Sequence, residues 1–201
     1  MKYTIINQFN NMAIASHYPK PKALGHLMLD LETMGNSSNS VIASIGAVEF
    51  DIKTGEIGRE FYDRIDIQSC LNAGLIVNGS TIKWWLGQSD AARAELCKAG
   101  DNLRNVLEKF NSFMACLDKV EIWGNGARFD IGILEDAYKA TYDEVILPWD
   151  FRMERDVRTL VSFAPKVKEH YPFEGTAHNP IADCKHQIGY CSAIWQKLNI
   201  D

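Results

Sequence analysis

The spacing of apolar positions changes part-way along this chain. From His26, the run Leu27-Met28-Leu29-Asp30-Leu31-Glu32 is apolar until it turns acidic at its end, the pattern of a buried central strand. A polar loop from Gly35 to Ser40 leads into a second strand over Val41–Phe50. Lys53-Thr54-Gly55 is a turn signal, and a third strand follows over Glu60–Asp66. Links this short predict antiparallel pairing. Beyond them the period becomes helical. Short helices are predicted over Thr81–Leu86 and Asp90–Lys98, and from Leu103 the residues Val106, Leu107, Phe110, Phe113, Met114 and Leu117 recur at helical spacing. A fourth strand is predicted at Val120–Trp123 and a helix from about Phe129 to Ala140. Val145–Trp149 reads as a fifth strand, Glu154–Phe163 as a further helix, and Pro180–Leu198 as the last one. A three-strand meander followed by alternating strands and helices predicts an α/β sandwich on a mixed sheet.

Composition changes this picture little. The chain has 201 residues, 46% hydrophobic and 23% charged, which suits one globular domain with a full core. The first 25 residues stand apart: Asn7, Gln8, Asn10 and Asn11 interrupt their few apolar positions, and Pro19-Lys20-Pro21-Lys22 reads as a linker. They make neither a signal peptide nor a membrane span, so residues 1–25 are expected to be an N-terminal extension or linker, an added strand or a flexible arm, and 26–201 the domain. Cys70, Cys97, Cys116, Cys184 and Cys191 form no CxxC pair, and thiols in a reducing cytoplasm are the expected state. The net charge of −5 lacks the basic balance of a protein that tracks along a duplex. It does not exclude nucleic acid, because a site for divalent cations needs carboxylates of its own.

Candidate chemistry lies in three acidic stretches. Asp30 and Glu32 are two apart on a strand, so both project from one face. Side by side they repel, and a bound cation would relieve that repulsion, although a solvated strand end can carry the same pair. Asn125-Gly126-Ala127-Arg128-Phe129-Asp130 follows the fourth strand and leads into a helix; Asp130 could equally be a simple helix-start carboxylate. Gly124-x-Gly126 lacks the third glycine of a dinucleotide loop. In His178-Asn179-Pro180-Ile181-Ala182-Asp183, Asn179 is a good N-cap and Pro180 suits the first helical position. Asp183 then projects from the first turn, with His178 free of the helix on the preceding loop. A cap beside a surface histidine gives the same pattern.

Taken together, Asp30, Glu32, Asp130 and Asp183 with His178 stand in the order and local contexts of the DEDD exonuclease superfamily, in its histidine-bearing, DnaQ-like branch (DEDDh), which the chain resembles over residues 26–198. The phrases Leu29-Asp30-Leu31-Glu32-Thr33-Met34-Gly35, Ser80-Thr81-Ile82-Lys83-Trp84-Trp85 and Arg155-Asp156-Val157-Arg158-Thr159 look like its phage and prophage subgroup. That subgroup includes exonuclease VIII-type domains and T-even phage exodeoxyribonuclease A, and a polyadenylate-specific exoribonuclease family is similar too. The resemblance implies a ribonuclease H-like fold, a mixed five-stranded sheet flanked by helices. It implies two Mg²⁺ or Mn²⁺ ions: Asp30, Glu32 and Asp183 would hold one, Asp30 would be shared with the second, and Asp130 would support that second ion through water. His178 would be the general base. Thr33 and Met34 would meet the terminal nucleotide. Of the adjacent Trp84 and Trp85, at least one is expected in the core, leaving the other to stack on an unpaired base. Arg128, Arg155 and Lys83 are candidate phosphate contacts, whereas His17, His26, His170 and His186 receive no role. The expected partner is the 3′ end of a nucleic acid, with a homodimer implied by relatives and no membrane. The leading expectation is 3′→5′ hydrolysis of single-stranded DNA to nucleoside 5′-monophosphates. Trimming of RNA 3′ tails is the nearest alternative, and a non-catalytic binding module the remote one.

Overall fold

Alternation along the first strand, β1 (His26–Thr33), decides how the molecule is layered. Leu27, Leu29 and Leu31 face one hydrophobic cluster, while Met28 faces another, and both clusters are fully buried. Asp30 and Glu32 follow Met28 on the second face, so a stripe that begins apolar ends acidic. The computed structural model describes residues 23–117, 119–126, 128–175 and 178–199.

β1 pairs antiparallel with β2 (Ile42–Phe50), which pairs antiparallel with β3 (Ile57–Arg64). On its other side β1 runs parallel to β4 (Glu121–Gly124), and β4 parallel to β5 (Glu154–Asp156), giving the order β3-β2-β1-β4-β5. Every residue of β2 is buried, as expected of a strand covered on both faces. The first cluster is closed by α4 (Leu103–Cys116) and α5 (Asp130–Thr141) through residues such as Phe110 and Leu134. The second is closed by α6 (Val157–Phe163) and α8 (Pro180–Leu198), with Leu160, Ile188 and Ile194 inside. A short α7 (Pro165–His170) joins them.

Between β3 and α4 the chain makes an excursion through α1 (Ile67–Asn72), α2 (Gly79–Leu86) and α3 (Asp90–Leu96). It leaves and returns at one point: Ile65 bridges Asp101, the Asp66 amide donates to the Asp101 carbonyl at 2.8 Å, and the Asp101 amide to that of Arg64 at 2.9 Å.

Two expected elements are corrected. Val145–Trp149 is not a strand: Pro148 has no amide to donate to a ladder, Ile146 is 81% exposed, and only Trp149 of the run is buried, its indole donating to Glu154 at 3.1 Å. The fifth strand is instead the polar Glu154–Asp156, which opens the stretch expected to be helical throughout. It is extended because it pairs with the edge of β4, and Asp156 then caps α6 by accepting from the Arg158 and Thr159 amides. β3 ends at Arg64 rather than Asp66, because the Asp66 side chain caps α1. The expected extension lies, as far as residue 22, outside the described residues. Among the described residues the Leu24 amide already donates to Glu49, two positions before the expected start at His26. Among the described residues no helix is long and apolar enough to cross a membrane.

Candidate active site

The carboxylates converge because α8 approaches the sheet without a spacer. Asp30 lies opposite Gly46 in the β1–β2 register. A Cβ at Gly46 would stand 2.4 Å from Pro180 Cβ and 2.8 Å from the Pro180 carbonyl carbon. Glycine therefore lets the first turn of α8 rest on the strand backbone. Asn179 fixes that turn by accepting from the Ala182 amide at 3.1 Å. One turn on, Gln187, 4% exposed, donates to Asp30 Oδ1 at 2.8 Å. The result is that Asp30, Glu32 and Asp183 each offer an oxygen within 4.8 Å of the others.

Asp130 closes the group from the other side. β4 ends at Gly124, opposite Leu29, so the remainder of β1 has no parallel neighbour. Asp130, 2% exposed at the start of α5, fills this split: Oδ1 accepts from the Leu31 amide at 3.2 Å and Oδ2 from the Asn125 amide at 2.9 Å. A crevice where neighbouring strands part at their carboxyl ends is the usual ligand site of open α/β sheets.

Burial, more than any other cause, raises the proton affinity of these groups. It pushes Asp30 well above the usual carboxylate range, reinforced by the charges of Asp130, Glu32 and Asp183 and opposed by the Gln187 hydrogen bond. Glu32 is raised to about 8, by burial first and then by Asp183 and Asp130. Asp130 is raised to about 6 by burial, against the amides of Leu31 and Asn125 and the charge of Arg158. Asp183 is raised by burial, against the charge and backbone of His178. Among the described residues none of the four forms a salt bridge.

These shifts make the stability of the fold depend on pH. Carboxyls with raised pKa bind protons more tightly folded than unfolded, so their stabilisation is complete at acid pH and is lost as the pH climbs through 6 to 8, where Asp130 and Glu32 ionise. In EDTA the melting temperature is expected to fall between pH 5 and pH 8, and Mn²⁺ to raise it most at the upper end. Calorimetry at both pH values checks this. An equal gain at pH 5 and pH 8 would mean that the carboxylates do not share one field.

His178 stands at the rim in the left-handed region (φ 62°). Its ring meets Trp84 edge-on at 5.0 Å and Trp85 at 5.8 Å. One of the two tryptophans lies in the core, as expected: Trp85 is 4% exposed with its indole donating to the Thr33 carbonyl at 2.9 Å, whereas Trp84 is 46% exposed. Thr33 and Met34 are themselves buried under α2, and the Asn78 amide bonds to the Met34 carbonyl. His178, Glu32 and Trp85 line a common cleft with Tyr62 and Arg64 of β3.

The expected basic residues are distributed otherwise. Arg155 is engaged by Glu121 through two nitrogens, and Arg128 lines a different cavity with Asp136 and Lys139. Lys83 is exposed on α2. No role follows from the sequence for Gln187, nor for Arg158, which stands there only within the phrase Arg155-Asp156-Val157-Arg158-Thr159. Gln187 lies four residues after Asp183, hence on the same helical face, and that spacing was its available signal.

A family model described as the 3′-5′ exoribonuclease Rv2179c-like domain matches residues 25–195. The chain belongs to this family. It is thus a 3′→5′ exonuclease, and related proteins surround it on both the DNA and the RNA side. The exodeoxyribonuclease of Enterobacteria phage T4 is 25% identical over 193 residues, covering 80% of this chain and 85% of the phage protein. The nuclease domain of 3′hExo, a DEDDh family member solved with rAMP, superposes with a TM-score of 0.61 at 15% identity, over 85% of this exonuclease and 91% of that chain. Exonuclease I of E. coli in complex with a dA16 oligonucleotide gives 0.61 at 16% identity, over 87% of this exonuclease and 41% of the longer chain. The mixed five-stranded sheet is that of the ribonuclease H-like DEDDh nucleases.

Proposed function

We propose that this exonuclease removes nucleotides from the 3′ end of single-stranded DNA with Asp30, Glu32, Asp130, Asp183 and His178 as its catalytic set. The observation that carries this reading is the meeting of three carboxylate oxygens from β1 and α8 within 4.8 Å, with Asp130 beside them. Carboxylates whose proton affinity is raised by burial can exchange those protons for divalent cations, and an all-oxygen donor set fits Mg²⁺ or Mn²⁺. Asp30, Glu32 and Asp183 would hold one ion, with Asp130 supporting a second. Bound there, the ions would stabilise both the attacking and the leaving oxygen of an in-line displacement at phosphorus.

The chain's own residues do the rest. His178 takes a proton from the attacking water as the new P–O bond forms. The bond from phosphorus to the 3′ oxygen of the preceding nucleotide breaks, and that oxygen gains a proton. The products are a nucleoside 5′-monophosphate and a strand shortened by one residue. Trp84, half-exposed beside His178, offers a stacking face for an unpaired base. DNA is favoured by the phage relative, whereas the description of the family favours RNA as a second reading. The same phage relative supports a place in the phage-type branch.

End-labelled DNA and RNA strands incubated in parallel with Mn²⁺ decide the substrate. Mononucleotides are expected from DNA faster than from RNA, and the reverse order would transfer the assignment to RNA. His178→Ala is expected to lower kcat by roughly 10²–10⁴-fold, the range for loss of a general base. A variant as fast as the parent would remove His178 from the catalytic set.

A further inference from the structure

We infer that Arg158 is the arginine that grips the nucleic-acid backbone beside the scissile bond, at a phosphate lying over the carboxyl ends of β4 and β5. The inference rests on the proposed nuclease reading and adds a specific substrate contact to it.

The loop after β4 binds Arg158 and the catalytic carboxylates to one another. The Asn125 amide donates to Asp130 Oδ2 at 2.9 Å, while Asn125 Oδ1 accepts from Arg158 Nε at 3.4 Å. The next residue, Gly126, donates its amide to Asp156 Oδ1 at 3.1 Å, and Asp156 also accepts from the Arg158 amide at 3.2 Å. The guanidinium therefore lies over the Gly126 backbone, close enough that a Cβ at Gly126 would stand 3.2 Å from its central carbon. Gly126 has φ 111°, so both the backbone and the contact call for glycine.

Arg158 is held in place but not neutralised. Among the described residues it forms no salt bridge, whereas Arg155, three positions earlier, is paired with Glu121 and Arg64 with Glu95. Its charge reaches Asp130 without contacting it. His178 and its cleft occupy the β2–β3 side of the carboxylates, and Arg158 stands on the β4–β5 side. A strand whose terminal residue meets His178 and whose scissile phosphate lies over Asp30 leaves the site past Arg158. A planar guanidinium with free donors matches two phosphate oxygens at once. In a chain of net charge −5 such a fixed cation matters for holding a polyanion.

The test is binding of a fluorescein-labelled oligodeoxynucleotide, followed by anisotropy across a salt series with Ca²⁺ in place of Mn²⁺, beside steady-state kinetics in Mn²⁺. Arg158→Gln is expected to weaken binding about tenfold and to flatten the plot of log K against log salt by ~0.7, the loss of one phosphate contact on a single strand. KM should rise while kcat stays within about threefold. Arg158→Lys should keep the salt slope, because the charge remains, and Arg152→Gln serves as a control for net charge with an unchanged slope. An unaltered slope in Arg158→Gln, or a fall in kcat at constant KM, would overturn the assignment and make Arg158 a support for Asn125 and Asp130. Parent protein that releases no mononucleotide in Mn²⁺ would instead count against the nuclease reading itself.

Discussion

Asp30→Asn is expected to lose turnover by roughly 10³–10⁴-fold while raising the melting temperature of the metal-free protein at neutral pH. The two effects share one cause. Asp30 is buried, carries a strongly raised pKa and faces three other carboxyls, so its ionised form is strongly disfavoured. Asparagine keeps the shape, and its oxygen can still accept from Gln187, whose amide now meets Asp30 at 2.8 Å. The repulsion disappears, and with it a negative ligand for the cations of the proposed mechanism. Loss of the several kcal/mol that such ions supply at the transition state translates into thousands-fold in rate. Single-turnover assays in Mn²⁺ and calorimetry in EDTA measure the two halves. A variant that kept a tenth of the activity, or that melted several degrees lower in EDTA, would contradict this account of Asp30.

Gly46→Ala tests the packing that assembles the site. Its methyl would sit 2.4 Å from Pro180 Cβ and 2.8 Å from the backbone carbon of Pro180, too close for any rotamer change to absorb. The first turn of α8 must lift, and Asp183 lifts with it. Overpacking of this kind costs about 1–3 kcal/mol. The larger effect is on function, because a displacement near 1 Å at reacting groups can cost about 100-fold in rate. Weaker Mn²⁺ binding by calorimetric titration and a fall in kcat of that order are expected together. Gly132→Ala, where an added Cβ meets nothing within 4 Å, is the control and should leave both unchanged. Normal Mn²⁺ affinity in Gly46→Ala would show that α8 is not positioned by this contact.

The parts of the site that were legible in the sequence are those where local rules act alone. Strand alternation placed Asp30 and Glu32 on one face, and the Asn179-Pro180 start placed Asp183 in a first turn with His178 outside it. The parts that were not legible depend on partners far away in the chain. Glu154–Asp156 has no strand character of its own and is extended only because β4 offers an edge. Val145–Trp149 has the composition of a strand but carries Pro148 and finds no edge. Arg155 and Arg158 look equivalent in sequence, yet Glu121 neutralises the first and leaves the second available. Which cation a fold consumes is decided by tertiary pairing, and no spacing rule reports it.

The excursion through α1, α2 and α3 has an evolutionary consequence. Its two ends are hydrogen-bonded side by side at Ile65 and Asp101, and it contributes none of the four acids. Its exposed turns can change in length while the strands beneath keep their register, but Trp85, buried against His178 and bonded to the Thr33 carbonyl, ties α2 to the site. A change of length in those turns would reshape the surroundings of the half-exposed Trp84 and leave the acids of β1 and α8 on their own scaffold.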